Sequence, residues 1–142
     1  MPIDNIFGIA GSALNAQMAR MNTVASNLAN SSTVAGNEQE AFRAKRTVFK
    51  AVLDEQKQLP RDQSYQGGVR IDAVIDDPSP VRRVSDPGNP LADKDGFVYL
   101  SNVNEMTEMV EMMAASRSYQ NNVEVINTAR QLMMRTLDIT KA

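Results

Sequence analysis

Residues 3–30 read IDNIFGIAGSALNAQMARMNTVASNLAN, and this stretch decides the fold. Its large apolar side chains recur every seven residues, a spacing that places them on one face of an α-helix and is typical of coiled coils. The main row consists of Phe7, Leu14, Met21 and Leu28. A second row of Ala10 and Val24 is interrupted by Gln17, while Met18 and Ala25 widen the stripe. So wide a stripe predicts a helix that faces more than one neighbour.

The rest of this helix surface is almost uncharged. Between Asn5 and Asn37 the only charged side chain is Arg20, among asparagine, serine, glutamine, threonine and many alanines. A helix that faces water normally carries lysine and glutamate. Small neutral side chains suit a helix surrounded by other helices, since burying an unpaired charge is costly. We therefore predict that both faces are buried in an assembly, the alternative being an ordinary amphipathic helix packed on its own domain.

A second long helix is predicted from Val103 to Ile139, and no proline or glycine follows Gly96 to break it. Its apolar row repeats every seven residues at Met112, Tyr119, Ile126 and Met133. A chain that leaves and returns through one intervening body tends to bring its ends together, so the helices over 3–30 and 103–139 are predicted to pair as an antiparallel coiled coil. The predicted assembly seam consists of Leu14, Met21, Val24, Leu28, Met112, Tyr119, Val123 and Ile126.

Short runs rich in β-branched or aromatic residues lie between the helices and predict strands. These runs are residues 42–52, 69–75, 81–84 and 97–100. The first run is equally compatible with a helix. Turns are predicted at 77–80, 86–90 and 93–96, where proline, glycine and asparagine cluster, and a polar loop is predicted at 54–68.

The predicted fold is mainly α with a small β-containing middle. It has three regions along the chain: an N-terminal helix in 1–36, an extended or β middle region in 37–100, and a C-terminal helix in 101–142. The two helical regions together are predicted to form one core domain.

The composition argues against several classes of function. Fifteen basic and seventeen acidic residues give a net charge of -2, so no strong field favours nucleic acid or an anionic membrane. Histidine and cysteine are absent, which removes the usual general base, the thiolate nucleophile and the commonest transition-metal ligands. We expect no enzyme activity and no cofactor. No apolar run is long enough to span a bilayer, and residues 1–4 lack the start of a secretory signal, so we expect neither membrane insertion nor a cleaved signal peptide.

Two acidic clusters have alternative readings as metal sites. Glu105, Glu108 and Glu111 lie near one face of the second helix, but without a histidine or a second acidic segment we interpret them as a solvated first turn that complements the helix dipole. Residues 93–96, DKDG, lack the further acid and the bidentate glutamate of a calcium loop, so they predict a hairpin turn. No metal site is predicted.

Two signatures at the chain ends resemble those of the flagellar basal-body rod family. The N-terminal signature covers AGSALNAQ at 10–17 and MNTVASNLAN at 21–30, and its most specific part is Asn27, Leu28, Ala29 and Asn30. The C-terminal signature covers SNVNEM at 101–106 and EMMAASRSYQNN at 111–122, which includes Tyr119. Within the family, residues 67–69, 86–93 and 96–98 resemble the corresponding parts of a proximal rod protein.

The resemblance implies a structural subunit of the proximal rod, a hollow helical tube that transmits torque. It makes the paired helices the axial core domain and implies homo-oligomeric contacts together with contacts to other rod proteins and to base adaptor or membrane-ring proteins. It also implies export through the flagellar type III apparatus without a cleaved signal, and a place in the periplasmic part of the basal body.

A coiled-coil adaptor that binds a partner helix is the alternative function. An adaptor should form a stable helical dimer regardless of concentration. An axial protein should have partly disordered ends when isolated and gain helix on co-assembly. Circular dichroism of the protein alone and with rod partners distinguishes the two.

Overall fold

The computed structural model of the chain describes residues 3–52 and 67–141. In chain order the elements are α1 (Ile3–Ala29), β1 (Val34–Ala35), β2 (Lys45–Ala51), β3 (Val69–Asp76), β4 (Arg82–Ser85), β5 (Phe97–Leu100) and α2 (Glu105–Lys141). Two terminal helices with a small β middle are therefore confirmed. Neither helix in the described residues is both long and apolar enough to cross a membrane.

The helix ends are set by local hydrogen bonds. The side-chain oxygen of Asn104 accepts a bond from the N–H of Thr107 (3.1 Å), so Asn104 caps α2 and the helix begins at Glu105, two residues later than predicted. Beyond α1, the N–H of Ser31 donates to the carbonyl of Leu28 (3.2 Å), which tightens the chain into a turn.

Within residues 3–52 and 67–141, five strands form two small sheets. β2 and β3 make an antiparallel hairpin from Lys45↔Asp76 to Ala51↔Val69, with an irregularity between Val48 and Phe49. The other sheet has the order β1-β5-β4 and is antiparallel throughout.

The predicted strands are confirmed with shifted ends. The strand predicted from Phe42 begins at Lys45, because the N–H of Ala44 donates to the side chain of Asn102 (2.7 Å) rather than to a strand. β1 was missed, since two residues carry no alternating pattern and become a strand only by pairing with β5.

The buried apolar side chains are small. They are Ala10, Ala16, Val24, Ala41, Ala44, Val98, Val103, Ala115 and Ala129. Alanines let backbones approach closely but bury little apolar area each, so the core of the single chain is modest. Many large apolar side chains, mostly on α2 and the hairpin, remain exposed.

The turn predicted at 93–96 is confirmed and leads into β5. One carboxylate oxygen of Asp93 accepts bonds from the N–H groups of Asp95 and Phe97 (2.9 Å each), and Gly96 has a φ of +77°. The Phe97 N–H bond is the main reason that the pKa of Asp93 lies below its ordinary value. The guanidinium of Arg83 lies 3.7 Å from the centre of the Phe97 ring and covers the strand that follows the turn.

Of the predicted loop at 54–68, residues 54–66 lie outside the described residues, and its last two glycines touch α1. Gly68 has a φ of +126°, and a Cβ on it would lie 2.8 Å from the hydroxyl oxygen of Ser12. That hydroxyl accepts a bond from the N–H of Val69 (3.1 Å) and donates to the carbonyl of Ile9 (2.7 Å). Thus β3 begins directly against the side of α1.

Gly68→Ala should therefore destabilise the protein by about 1–3 kcal/mol, because it places a side chain in a left-handed conformation and pushes against Ser12. Thermal unfolding of the purified chain measures the effect. Gly11→Ala is the matched control, since no atom lies within 4 Å of the added Cβ and alanine favours a helix by about 1 kcal/mol. Equal unfolding temperatures for the two variants would refute the close approach at Gly68.

Candidate assembly site

Three side-chain contacts link α1, or the turn after it, to α2. Arg20 forms an ion pair with Glu111, the amide of Asn27 donates to Glu108 (2.9 Å), and the hydroxyl of Ser31 donates to Glu105 (2.8 Å). As the residue number rises from 20 to 31 on the first side, it falls from 111 to 105 on the second. The C-terminal half of α1 thus lies beside the N-terminal part of α2.

Asn27, Arg46 and Glu108 form what we term the polar junction, which connects α1, β2 and α2. The Asn27 amide nitrogen donates to Glu108 and to the carbonyl of Lys45 (2.9 Å each), while its oxygen accepts from the N–H of Lys45 (2.8 Å). Asn27 and Glu108 are both fully buried. Both amide hydrogens and the amide oxygen of Asn27 are therefore satisfied, as a buried amide requires.

Arg46 completes the polar junction from the hairpin. Its guanidinium donates to the second carboxylate oxygen of Glu108 and also lies 3.4 Å from the carboxylate of Asp77. Burial lowers the pKa of Arg46, but its hydrogen bond to Glu108 and the negative charges of Glu108 and Asp77 outweigh that effect, and the pKa lies above its ordinary value. The buried carboxylate of Glu108 thus has a cation and an amide as partners, which offsets its desolvation.

The structure corrects the prediction of a solvated acidic turn at the start of α2. Glu105 is exposed and Glu111 is half-buried, but Glu108 is completely buried. Its partners Asn27 and Arg46 are distant in sequence, so the local spacing of three glutamates gave no indication of the contact. Arg46 and Glu108 are the two site residues that the sequence reasoning missed.

Further polar contacts surround the polar junction. The buried hydroxyl of Ser101 donates to the carbonyl of Ser31 (2.7 Å), and the side-chain nitrogen of Asn102 donates to the carbonyl of Ser79 (2.9 Å). The segment before α2 is therefore bonded to the turn after α1 and to the connection between β3 and β4. These bonds attach the β middle to the helices.

The predicted seam residues differ in burial. Val24 is buried, and Val123 is 37% exposed. The others are half-buried: Leu14, Met21, Leu28, Met112, Tyr119 and Ile126. Of the predicted family-signature residues, Asn27 is buried, Leu28 and Asn30 are half-buried, and Ala29 is exposed. The side chain of Asn30 donates to the carbonyl of Ser26 (2.8 Å) at the surface.

One face of α1 is open in the single chain and carries no charge. We term it the neutral face, and its exposed residues are Asn15, Met18, Asn22, Ala25, Ser26 and Ala29. A comparable apolar surface lies near the start of α2, where Met106 is 71% exposed and Met113 is 64% exposed. Exposed methionines of this kind adapt to partners of varied shape.

An apolar groove of about 450 Å³ lies near the other end of the helix pair. Ile6 of α1 forms one side, and Val125, Ala129 and Leu132 of α2 form much of the other. The groove and the neutral face both offer surface to a neighbouring molecule.

Known proteins match the chain over nearly its whole length. The family model described as flagella basal body rod protein matches residues 7–36, and the model described as flagellar basal body rod FlgEFG protein C-terminal matches residues 94–139. The chain is 48% identical to the flagellar basal-body rod protein FlgC of Yersinia enterocolitica and 47% identical to that of Salmonella typhimurium, over 98% of both chains in each case. It is also 48% identical to FlgC of Buchnera aphidicola subsp. Acyrthosiphon pisum, over 99% of this chain and 100% of the relative.

The matched segments contain most of α1, including Asn27, and most of α2, including Glu108, while the full-length identity extends across the β middle. On this similarity, the chain belongs to the FlgC family of flagellar basal-body rod proteins.

Proposed function

We propose that the chain is a structural subunit of the proximal rod, assembling into a hollow helical tube that transmits torque. The carrying observation is the identity of 47–48% to FlgC proteins over almost the full length of both chains. FlgC proteins are structural rather than enzymatic. The exposed neutral face of α1 fits this role, since an uncharged surface is suited to contact with other subunits.

The helices pair as an antiparallel coiled coil in an axial core domain made of residues 1–36 and 101–142, and residues 37–100 are the extended or β middle region. The contacts of Arg20, Asn27 and Ser31 with α2 support this pairing, because higher numbers on one side meet lower numbers on the other. The residues predicted for the seam, from Leu14 to Leu28 and from Met112 to Ile126, hold the coiled coil through their apolar rows.

The neutral face and the exposed methionines of α2 contact neighbouring subunits. These neighbours are further copies of the chain, other rod proteins and base adaptor or membrane-ring proteins. Because the neutral face and the exposed methionines are different surfaces of one chain, the contact between two copies is head-to-tail. Repeated contacts of that kind arrange the subunits in a helix rather than in a closed pair. The subunit reaches the periplasmic part of the basal body through the type III export apparatus.

Torque passes between the helices and the β middle through the polar junction. The junction supports this because Asn27 bonds both backbone groups of Lys45 and Arg46 bonds Glu108, so the start of the hairpin is attached to both helices. A rigid attachment of this kind limits movement of the body relative to the helices under load.

Ala25→Glu tests the subunit contact without disturbing the fold. Ala25 is exposed in the single chain, so the free energy of unfolding of the variant should lie within about 0.5 kcal/mol of the parent's. In the rod the new carboxylate is buried against a neighbouring subunit, and a loss of about 1.4 kcal/mol would weaken each such contact about tenfold. We therefore expect far fewer basal bodies than in the parent. Electron microscopy of basal bodies from complemented deletion cells measures this.

Gln39→Glu is the matched control for Ala25→Glu. It adds the same charge at an exposed position in the turn region between β1 and β2, away from the neutral face, and should leave rod number unchanged. Parental rod numbers for Ala25→Glu would show that the neutral face is not an assembly contact.

A further inference from the structure

Asn27 and Glu108 place two fully buried polar side chains in a helix contact whose apolar side chains repeat every seven residues on both helices. Buried polar pairs rarely add much net stability, but in paired helices they specify register, since any other alignment leaves them without partners. The register of the two helices, which rests on the helix pairing proposed above, requires a feature that prevents one helix from sliding along the other.

The apolar rows alone do not prevent sliding. Leu14, Met21 and Leu28 are spaced by seven, as are Met112, Tyr119 and Ile126 on the other helix. A slide of seven residues, about 10 Å along the axis, again places apolar rows opposite each other. Methionine adapts readily to a changed partner, so the apolar cost of such a slide is small.

The polar junction responds differently to the same slide. In one direction Ala115, seven residues after Glu108, comes opposite Asn27, and the Asn27 amide then faces a methyl group. In the other direction Glu108 moves opposite Arg20, and Asn27 faces Ser101, which precedes α2. Either slide also separates Glu108 from Arg46 of the hairpin, which remains bonded to its place beside Asn27 through Lys45. The first slide therefore leaves one amide hydrogen of Asn27 without an acceptor, and the second replaces the polar junction by separate contacts of Glu108 with Arg20 and of Asn27 with Ser101, neither of which holds Arg46 of the hairpin.

The geometry points to Asn27, Glu108 and Arg46 as a register lock that selects one alignment of α1 with α2 and fixes the hairpin to that alignment. Asn27 is the central positioning residue, because it bonds both α2 and the backbone of β2. A subunit with slipped helices presents its neutral face about 10 Å out of place relative to α2 and cannot join a regular helical array.

Spin-label distances measure the register directly. The sequence has no cysteine, so Asn22→Cys and Arg117→Cys give two unique labelling positions, and both are exposed. Both labels lie inside the helix pair rather than at the chain ends, so in the purified full-length chain double electron–electron resonance should show one distance for the labelled parent. Adding Asn27→Ala should produce a second population displaced by up to about 10 Å. Asn30→Ala, which removes an asparagine bonded at the surface, is the control and should retain one distance.

A swapped pair protects the test against simple unfolding. Asn27→Asp places a second carboxylate against Glu108 and should also give two distances. Adding Glu108→Gln provides an amide donor to the new carboxylate and should return the distribution to one distance. A single parental distance in Asn27→Ala would overturn the lock, as would a parent with no defined distance. If the Asn27→Ala variant loses its helices, the swapped pair decides instead. A distance distribution in Asn27→Asp with Glu108→Gln that is as broad as in Asn27→Asp alone would overturn the lock. The proposed role in the rod is tested separately by the swimming of cells that carry the unlabelled parental chain, because that role does not depend on the spin-label distances.

Discussion

Cells in which Leu28→Asp replaces the parental chain should build no complete rods and should not swim. Leu28 is half-buried next to Asn27 in the chain, on the apolar row that we assign to the seam. A carboxylate at this position loses its hydration and faces a contact region that already contains Glu105 and Glu108. The cost of a poorly paired charge in such a place is several kcal/mol, enough to prevent helix pairing.

Swimming in soft agar and electron microscopy of purified basal bodies measure the effect of Leu28→Asp. The β middle should remain soluble, because its strands do not depend on Leu28 for pairing. Leu28→Met is the matched control, since it preserves volume and apolar character and should leave swimming intact. Normal motility with intact basal bodies in Leu28→Asp would refute the seam.

Glu108→Ala should lower the free energy of unfolding by about 3 kcal/mol, near the low end of the range for breaking a buried ion pair. The loss removes a fully buried side chain, leaves one amide hydrogen of Asn27 without its acceptor and frees Arg46. Arg46 is 39% exposed and can regain water, which keeps the penalty from being larger. Urea unfolding of the purified chain, followed by circular dichroism, gives the value.

Glu111→Ala is the matched control for Glu108→Ala on the same helix. Glu111 pairs with Arg20, but both side chains are about one third exposed, so the pair resembles a surface salt bridge and its loss should cost at most about 1 kcal/mol. If the two alanine variants unfold at the same urea concentration, Glu108 does not have the structural role assigned to it here.

The helices were predictable because their signal is local. Apolar residues are spaced by seven in α1 and α2, and no proline or glycine follows Gly96. These local features determine both helices and their lengths with little help from the rest of the chain. Strands β3 to β5 were found from β-branched and aromatic runs for the same reason, whereas the run that contains β2 was equally compatible with a helix. β1 has only two residues and depends on a partner more than sixty residues later, which no local pattern indicates.

The polar junction was only partly predictable. Asn27 was identified through its family signature, but the sequence gave it no structural role. Glu108 belongs to an acidic cluster of a kind that commonly faces water near a helix start, and only its contacts with Asn27 and Arg46 show that it is buried. Contacts that join three elements distant in sequence are set by tertiary packing, which residue spacing does not encode.

Electron cryomicroscopy of basal bodies from cells that carry this chain tests the central claim most directly. The account predicts rod density that fits α1 and α2 as a pair, with Asn15, Met18 and Asn22 of the neutral face against adjacent subunits. A rod that lacks this chain, or one in which that face of α1 lies open to solvent, would contradict it.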